Sequence, residues 1–285
     1  MSQPLGPYDP GLVPPSGRRR VMEGRGLLVA SGSTIVFIAV VVVLVLTAPG
    51  TGKVGHSFFS PHAFRQTAGP VWHGFLVNVK VMLIAEAFVL VLALMIAVLR
   101  GLPGPAAFPL RALAVIWVDV FRGIPLLLVI FIVGLGVPGL QLSFFSTQSV
   151  FTYGTISLVL VYSAYVAEVY RSGIESVHSS QVAAARSLSL SHWQTMRFVV
   201  LPQAIRRVIP PLLNDFIGLQ KDTALLSILG VVESVRAAQD YSSQYFNFTG
   251  YTFAAILFVA ITIPLARFTD YLILRDQRRM RAAGG

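Results

Sequence analysis

Apolar runs long enough to cross a lipid bilayer recur along this sequence, and arginines punctuate them. A helix needs about 20 apolar residues to traverse the hydrocarbon layer, where no water satisfies open backbone groups. Six such runs are legible: Gly26–Ala48, which contains STIVFIAVVVVLVLTA; Phe75–Leu99; Leu110–Leu135, interrupted by Gly123-Ile124-Pro125; Phe151–Tyr170; Ile205–Val231; and Tyr251–Leu274. Hydrophobic residues make up 55% of the 285, charged residues 12%, and the mean hydropathy is +0.72, too apolar for a soluble domain. The pattern predicts an all-α membrane protein with about six transmembrane helices. Arg18, Arg19, Arg20 and Arg25 precede the first run, as they would in a signal peptide. Its uncharged stretch is longer than the roughly 7–15 residues of a cleavable core and no A-x-A site follows, so it reads as a retained anchor.

Charge sets the expected orientation. With the N-terminus inside, the inner segments carry Arg18, Arg19, Arg20, Arg25, Arg100, Arg111, Arg171, Arg186, Arg197, Arg206, Arg207, Arg275, Arg278, Arg279 and Arg281, and the outer segments only Lys53, Arg65 and Arg236. That bias predicts a multi-pass membrane protein with both termini cytoplasmic. The expected organisation is a disordered basic tail over 1–25, an N-terminal spanning helix over 26–48 and an external loop over 49–74. The main helical domain follows over 75–274, and a basic cytoplasmic tail over 275–285. Residues 172–204 interrupt that domain as a polar, basic segment on the cytoplasmic side, closing on Leu201-Pro202-Gln203-Ala204.

Several chemistries are excluded. The net charge of +10 raises the question of nucleic acid, but the basic residues lie between apolar runs rather than on one face, so no nucleic-acid partner is expected. There is no cysteine, and His56, His62, His73, His178 and His192 show no metal-ligand spacing. Gly52-Lys53 lacks the remaining positions of a phosphate loop, with Thr47 and Val54 where Gly and Ser or Thr are needed. Gly134, Gly136 and Gly139 match G-x-G-x-x-G but follow an apolar helix rather than a strand, so they read as a turn out of the membrane. Asn247-Phe248-Thr249 is a weak three-residue sequon match. No catalytic set stands in a soluble segment, so the chain is expected to move a solute without chemistry of its own.

Residues 163–234, SAYVAEVYRSGIESVHSSQVAAARSLSLSHWQTMRFVVLPQAIRRVIPPLLNDFIGLQKDTALLSILGVVES, closely resemble the permease subunits of ABC importers for polar amino acids. That family's cytoplasmic signature is Glu-Ala-Ala, three residues, Gly, nine residues, an aliphatic residue, one residue and Leu-Pro. It falls here on Ala183-Ala184-Ala185, Ser189, Val199 and Leu201-Pro202. The likeness extends to Asp119-Val120-Phe121-Arg122-Gly123-Ile124-Pro125-Leu126 and to Lys221-Asp222-Thr223-Ala224-Leu225, about 200 residues in all.

The resemblance implies a type I ABC importer permease fold with one extra N-terminal helix. It also implies a place in the bacterial plasma (inner) membrane, a second permease of the same or related sequence, two ATPase subunits inside, an external substrate-binding protein and surrounding membrane lipid. ATP and Mg would be bound by the partner ATPase, leaving this chain without a cofactor. The amino-acid substrate would be of glutamate or glutamine type, and the pathway would work by alternating access. The implied ATPase-coupling residues are Gln181, Ala183, Ala184, Ala185, Arg186, Leu188, Ser189, Leu190, Leu201 and Pro202. Two departures stand out, Ala183 for the signature Glu and Ser189 for its Gly. The first removes a carboxylate from the contact, and the second places a Cβ where a helix commonly ends in a left-handed residue. Val182, Arg186 and Ser189 share helical spacing, as do Ala185 and Leu188. A short helix lying on lipid headgroups is the alternative reading of that segment.

Ionisable groups inside spans are costly and mark either a polar path or ion pairs between helices. The substrate-path candidates are Glu86, Asp119, Arg122, Ser163, Glu168, Lys221, Asp222 and Thr223. Asp119 and Arg122 are spaced to pair on one helix face, as are Glu168 and Arg171. Lys80 is placed to reach toward the outer interface. Pro210 and Pro211 are expected to kink the fifth span near its start. A proton-coupled secondary transporter built on the same carboxylates is the competing class. It would show internal repeats with matching broken helices, which the two halves lack. A membrane scaffold without a transport role is the third possibility.

Overall fold

The computed structural model describes residues 25–141, 143 and 148–283, so the expected disorder of the N-terminal tail lies outside the described residues. Among them every regular element is helical. The chain divides into two compact units, Met1–Gly55 and His56–Gly285. In the first, helix α1 (Arg25–Thr47) carries the valine-rich run, and its large apolar side chains from Val29 onward are exposed. A helix apolar on every side and covered by nothing in its own unit has lipid as its natural surrounding.

A short helix α2 (Thr51–Phe58) leads into α3 (Pro61–Arg100), a 40-residue helix. Residues 49–74, expected as an external loop or interfacial segment, are largely helical. Ser60 caps α3 by accepting from the Ala63 N–H at 3.4 Å, and Pro61 sits at the first position, where its missing N–H costs nothing. Pro70 is held inside the helix by packing next to it, where Val71 is fully buried against Ala237, Ala238 and Ala254.

After a 3-10 turn (Pro105–Ala107) comes α4 (Phe108–Gly123), then α5 (Leu126–Phe131), a π-turn (Ile132–Gly136) and a last helical turn (Val137–Gly139). The chain bends by 106° between Gly123 and Leu126. Pro125 explains the bend, because it forces Ile124 out of the helical region to φ −95°, ψ 130°. The glycines of the G-x-G-x-x-G match lie in this π-turn and helical turn, with no strand before them.

Then follow α6 (Val150–Glu175), α7 (Ser179–Ser187), α8 (Leu201–Asp222), α9 (Ser234–Tyr245) and α10 (Thr249–Ala283). A four-residue helical turn (His192–Thr195) and a π-turn (Met196–Val200) precede α8, and a 3-10 segment (Thr223–Leu229) extends it. Among the described residues four stretches are long and apolar enough to cross a membrane: Val29–Thr47, Thr51–Arg100, Val150–Glu175 and Thr249–Arg275. The bent α4–α5 pair is apolar enough to make a fifth if its two halves form one broken span. The expected span Ile205–Val231 falls on α8 and its 3-10 extension, a helix with a pronounced polar face. Pro210 and Pro211 lie in the middle of α8 rather than near its start, because the helix begins earlier, at Leu201.

The core is the seam of α3 against α6. Val81, Ala85, Val89, Ala93 and Ile96 recur every three or four residues along α3 and meet Leu158, Ala164, Val166 and Ala167 of α6. Small and β-branched residues let the two backbones approach, which matters in lipid because close packing replaces the water-driven force. A polar knot closes the end of the bundle away from Arg100. Asn78 donates through Nδ2 to Thr223 Oγ1 and Glu233 Oε2, both at 3.1 Å, and its Oδ1 accepts from the Ser234 N–H and hydroxyl. Glu233 caps α9, accepting from the N–H groups of Val235 and Arg236 at 2.8 Å. Burial raises the Glu233 carboxyl above the usual carboxylate range against the pull of these donors. Gly74 passes so close that a Cβ there would stand 2.5 Å from the Glu233 carbonyl carbon.

Candidate functional site

Residues 176–200 project from a clamped base. At the clamp, Gly173 of α6 receives Val208 of α8, whose Cγ1 would lie 2.1 Å from a Cβ on the glycine. The Arg207 guanidinium donates to the Ser176 carbonyl across the same junction. Above it, α7 begins at His178, whose Nδ1 accepts from the Ser180 N–H at 3.3 Å. The helix ends in a Schellman turn: the Leu190 N–H reaches the Ala185 carbonyl at 3.2 Å and the Ser189 N–H the Arg186 carbonyl at 2.9 Å. Ser189 itself is left-handed, at φ 60°. The next turn opens on a capping box in which Ser191 and Gln194 bond reciprocally, a pairing legible in Ser-His-Trp-Gln.

The predicted coupling residues do not all face outward. Gln181, Ala183, Ala184, Arg186, Leu188, Ser189, Leu201 and Pro202 are exposed, Leu190 is half-buried, and Ala185 is buried against its own chain. Ala185 therefore supports the projection rather than presenting a surface. Leu188 is 77% exposed, and two residues missed at the sequence level stand with it, Trp193 at 70% and Phe198 at 63%. Together they form an exposed apolar patch on a polar, well-capped projection, the kind of surface that suits docking.

The ends of α3 and α6 nearest this projection are joined by ion pairs. Glu168 Oε2 lies 2.8 Å from Arg100 Nη1, and Arg171 binds Glu168 on one side and Glu175 on the other. The expected Glu168–Arg171 pair is therefore present, inside a larger cluster. The expected Asp119–Arg122 pair is absent among the described residues. Both side chains are exposed, and Arg122 instead lies over the Tyr165 ring, 5.7 Å from its centroid.

A cavity of about 420 Å³ opens where α4 breaks into α5 against α6 and α8. Arg122, the Gly123-Ile124-Pro125 break, Tyr162, Tyr165, Asn214, Asp215, Gly218 and Asp222 line it. The Tyr162 hydroxyl donates to Asp222 Oδ2 at 2.8 Å, while Asp215 Oδ2 is buried with no hydrogen-bond partner among the described residues. One guanidinium and two carboxylates face one space, an arrangement complementary to a small solute with charges of both signs.

Of the predicted path residues the cavity unites only Arg122 and Asp222. Ser163 is buried beside Trp117, accepting from its Nε1 at 3.2 Å. Thr223 belongs to the Asn78 knot, Lys221 is exposed, and Glu86 and Glu168 are half-buried outside the cavity lining. Lys80 lies 5.6 Å from the centre of the Phe151 ring. Asn214, Asp215 and the two tyrosines were missed, although Asn214, Asp215, Gly218 and Asp222 recur at helical spacing as a polar stripe on α8.

Comparison with known proteins agrees with this architecture. The chain is 37% identical over 208 residues to the probable glutamine ABC transporter permease protein GlnM of Bacillus subtilis (strain 168), covering 72% of this chain and 92% of the relative. The probable glutamine ABC transporter permease protein GlnP of the same organism is 34% identical, with 72% and 93% covered. A crystal structure of an amino acid ABC transporter with histidines contains a chain that superposes with a TM-score of 0.69 at 28% identity, over 75% of this chain and 97% of that one. An inward-facing structure of the MetNI methionine ABC transporter shares the fold at 16% identity and a TM-score of 0.57, covering 76% and 99%. Residues 90–279, from the last quarter of α3 into the last turns of α10, match the family described as binding-protein-dependent transport system inner membrane component. A broken helix over a charged cavity and a capped projection beyond the bundle are thus set in a family framework, and the chain belongs to the inner membrane components of binding-protein-dependent transport systems.

Proposed function

We propose that this chain forms one half of the pathway of an ATP-driven importer for polar amino acids of the glutamine or glutamate type. A second permease, identical or related, completes the pathway, two ATPase subunits dock on the projection, and an external binding protein delivers solute. ATP and Mg belong to the ATPase subunits. The observation that carries the reading is the clamped projection with Leu188, Trp193 and Phe198 exposed beside Arg186. A rigid base is what a lever needs: force applied at α7 reaches α6 and α8 through the Gly173–Val208 contact and the Arg207–Ser176 bond. Closure of the ATPases would move the two halves as rigid bodies between inward-facing and outward-facing forms.

The cavity at the α4–α5 break is the proposed solute station, with Arg122 meeting the carboxylate and Asp215 the ammonium of a zwitterion. Asp119 and Arg122 lie on an open face of α4, so the second permease is assigned to that side. The arginine distribution supports placing both termini in the cytoplasm, with α1 as an additional anchor outside residues 90–279. The names of the relatives support a glutamine-type substrate.

The experiment is uptake into proteoliposomes holding the permease, its ATPase and its binding protein. Arg186→Glu combined with Leu188→Asp should abolish ATP-driven uptake while membrane insertion and binding-protein affinity stay intact. Wild-type uptake by that double variant, or uptake that persists with a hydrolysis-dead ATPase, overturns the reading.

A further inference from the structure

At the end of the bundle remote from the coupling projection, α3 and α10 frame a groove of about 450 Å³. Phe58, Phe59, Phe64, Phe253 and Ile256 form apolar walls, and Arg65 stands on the lining with them. The groove is a built feature. The Ser60 N–H donates to Thr249 Oγ1 at 3.1 Å, pinning the start of α10 to the corner before α3. Phe64 and Phe253 meet edge to face at 5.0 Å. At about 1.5 Å per residue, Arg65 is about 50 Å from Arg100 along the α3 axis, so the two mark opposite ends of the helix.

Two observations say what fits there. First, Arg65 is exposed and makes no ion pair among the described residues, and no acidic side chain lines the groove, so the guanidinium awaits an anion. Second, exposed aromatics cluster at this end, with Trp72 farther along α3, Tyr245 on α9 and Phe246 just after it. Such a belt sits at headgroup depth. An apolar slot that opens at headgroup depth, with an unpaired guanidinium beside it, has the anatomy of a lipid: chain inside, phosphate at the rim.

We propose that this groove is a phospholipid site, taking one acyl chain between α3 and α10 and holding the phosphodiester on Arg65, with anionic headgroups preferred. The full-length chain in detergent micelles, titrated with phosphatidylglycerol or phosphatidylcholine and read by native mass spectrometry, tests it. Wild type should retain phosphatidylglycerol more tightly than phosphatidylcholine. Arg65→Ala should weaken phosphatidylglycerol about tenfold, the loss of one charge-assisted contact, and equalise the two lipids. Arg65→Lys should keep the preference. Ile256→Trp, which fills the slot, should lower both.

Unchanged lipid occupancy and preference in both Arg65→Ala and Ile256→Trp overturns the site. If Ile256→Trp fails to fold, the Arg65 pair decides alone, because that side chain is exposed. The chain has no cysteine, so Ile256→Cys provides a separate arm in native membranes. Cross-linking of that cysteine to a second copy, or to a cysteine introduced in α1, shows protein in the groove and also overturns the proposal.

Discussion

Ser189 offers a test in which the expected sign runs against the usual outcome of substitution. It occupies the left-handed position of the turn that ends α7, at φ 60°, in a place where Gly is favoured because it has no Cβ. For an L-residue this conformation costs about 1–2 kcal/mol. Replacing Ser189 by Gly removes that strain, while the greater freedom of Gly in the open state takes back about 0.5–1 kcal/mol. The net expectation is a gain of about 0.5–1 kcal/mol for the closed turn, or about two- to fivefold in its opening equilibrium. Hydrogen–deuterium exchange at the Leu190 amide, which bonds to the Ala185 carbonyl at 3.2 Å, reads that equilibrium directly. Ser189→Gly should slow exchange there by about two- to fivefold, and Ser189→Val should accelerate it, since a branched Cβ is least tolerated at positive φ. Faster exchange in the Gly variant, or wild-type exchange in the Val variant, refutes the assignment of strain to this residue.

Two further expectations concern the frame. Gly74→Ala places a Cβ within 2.5–2.7 Å of backbone atoms of Glu233 and Ser234, which cannot rotate away; a loss of about 1–3 kcal/mol should lower the thermal midpoint in detergent, and an unchanged midpoint would contradict the close approach. Glu168→Ala strands Arg100, whose side chain is only 19% exposed, and should cost about 1–3 kcal/mol, whereas Glu175→Ala, at a 60% exposed carboxylate, should cost under about 1 kcal/mol; equal losses in denaturant unfolding would show that Arg100 does not depend on Glu168.

The class of protein and the order of its parts were legible in the sequence because both depend on local composition. Runs such as STIVFIAVVVVLVLTA and the arginines between them report transfer between water and lipid residue by residue. Short-range stereochemistry was legible too, since Gly-Ile-Pro marks the break after α4. The Glu168–Arg171 pair followed from spacing alone. Residues 49–74 misled because their Gly, Pro and His content lowers helix propensity, while the packing of Val71 against Ala237 and Ala238 outweighs that preference.

What only the tertiary structure decided is which groups share a space. Arg122 and Asp119 have the spacing of an ion pair, yet the broken helix turns Arg122 onto Tyr165 and into a cavity with Asp215 and Asp222. Nothing within about 90 residues of Arg122 in the sequence signals Asp215, because that encounter is set by the packing of α8 against α6. Likewise Asn78 meets Glu233, and Arg65 has no acidic partner among the described residues, for reasons of position rather than composition. Local sequence determined where this chain meets lipid and where its helices start and stop. The long-range packing of those helices determined which charges face one another, because a contact between distant residues leaves no periodicity for the sequence to display.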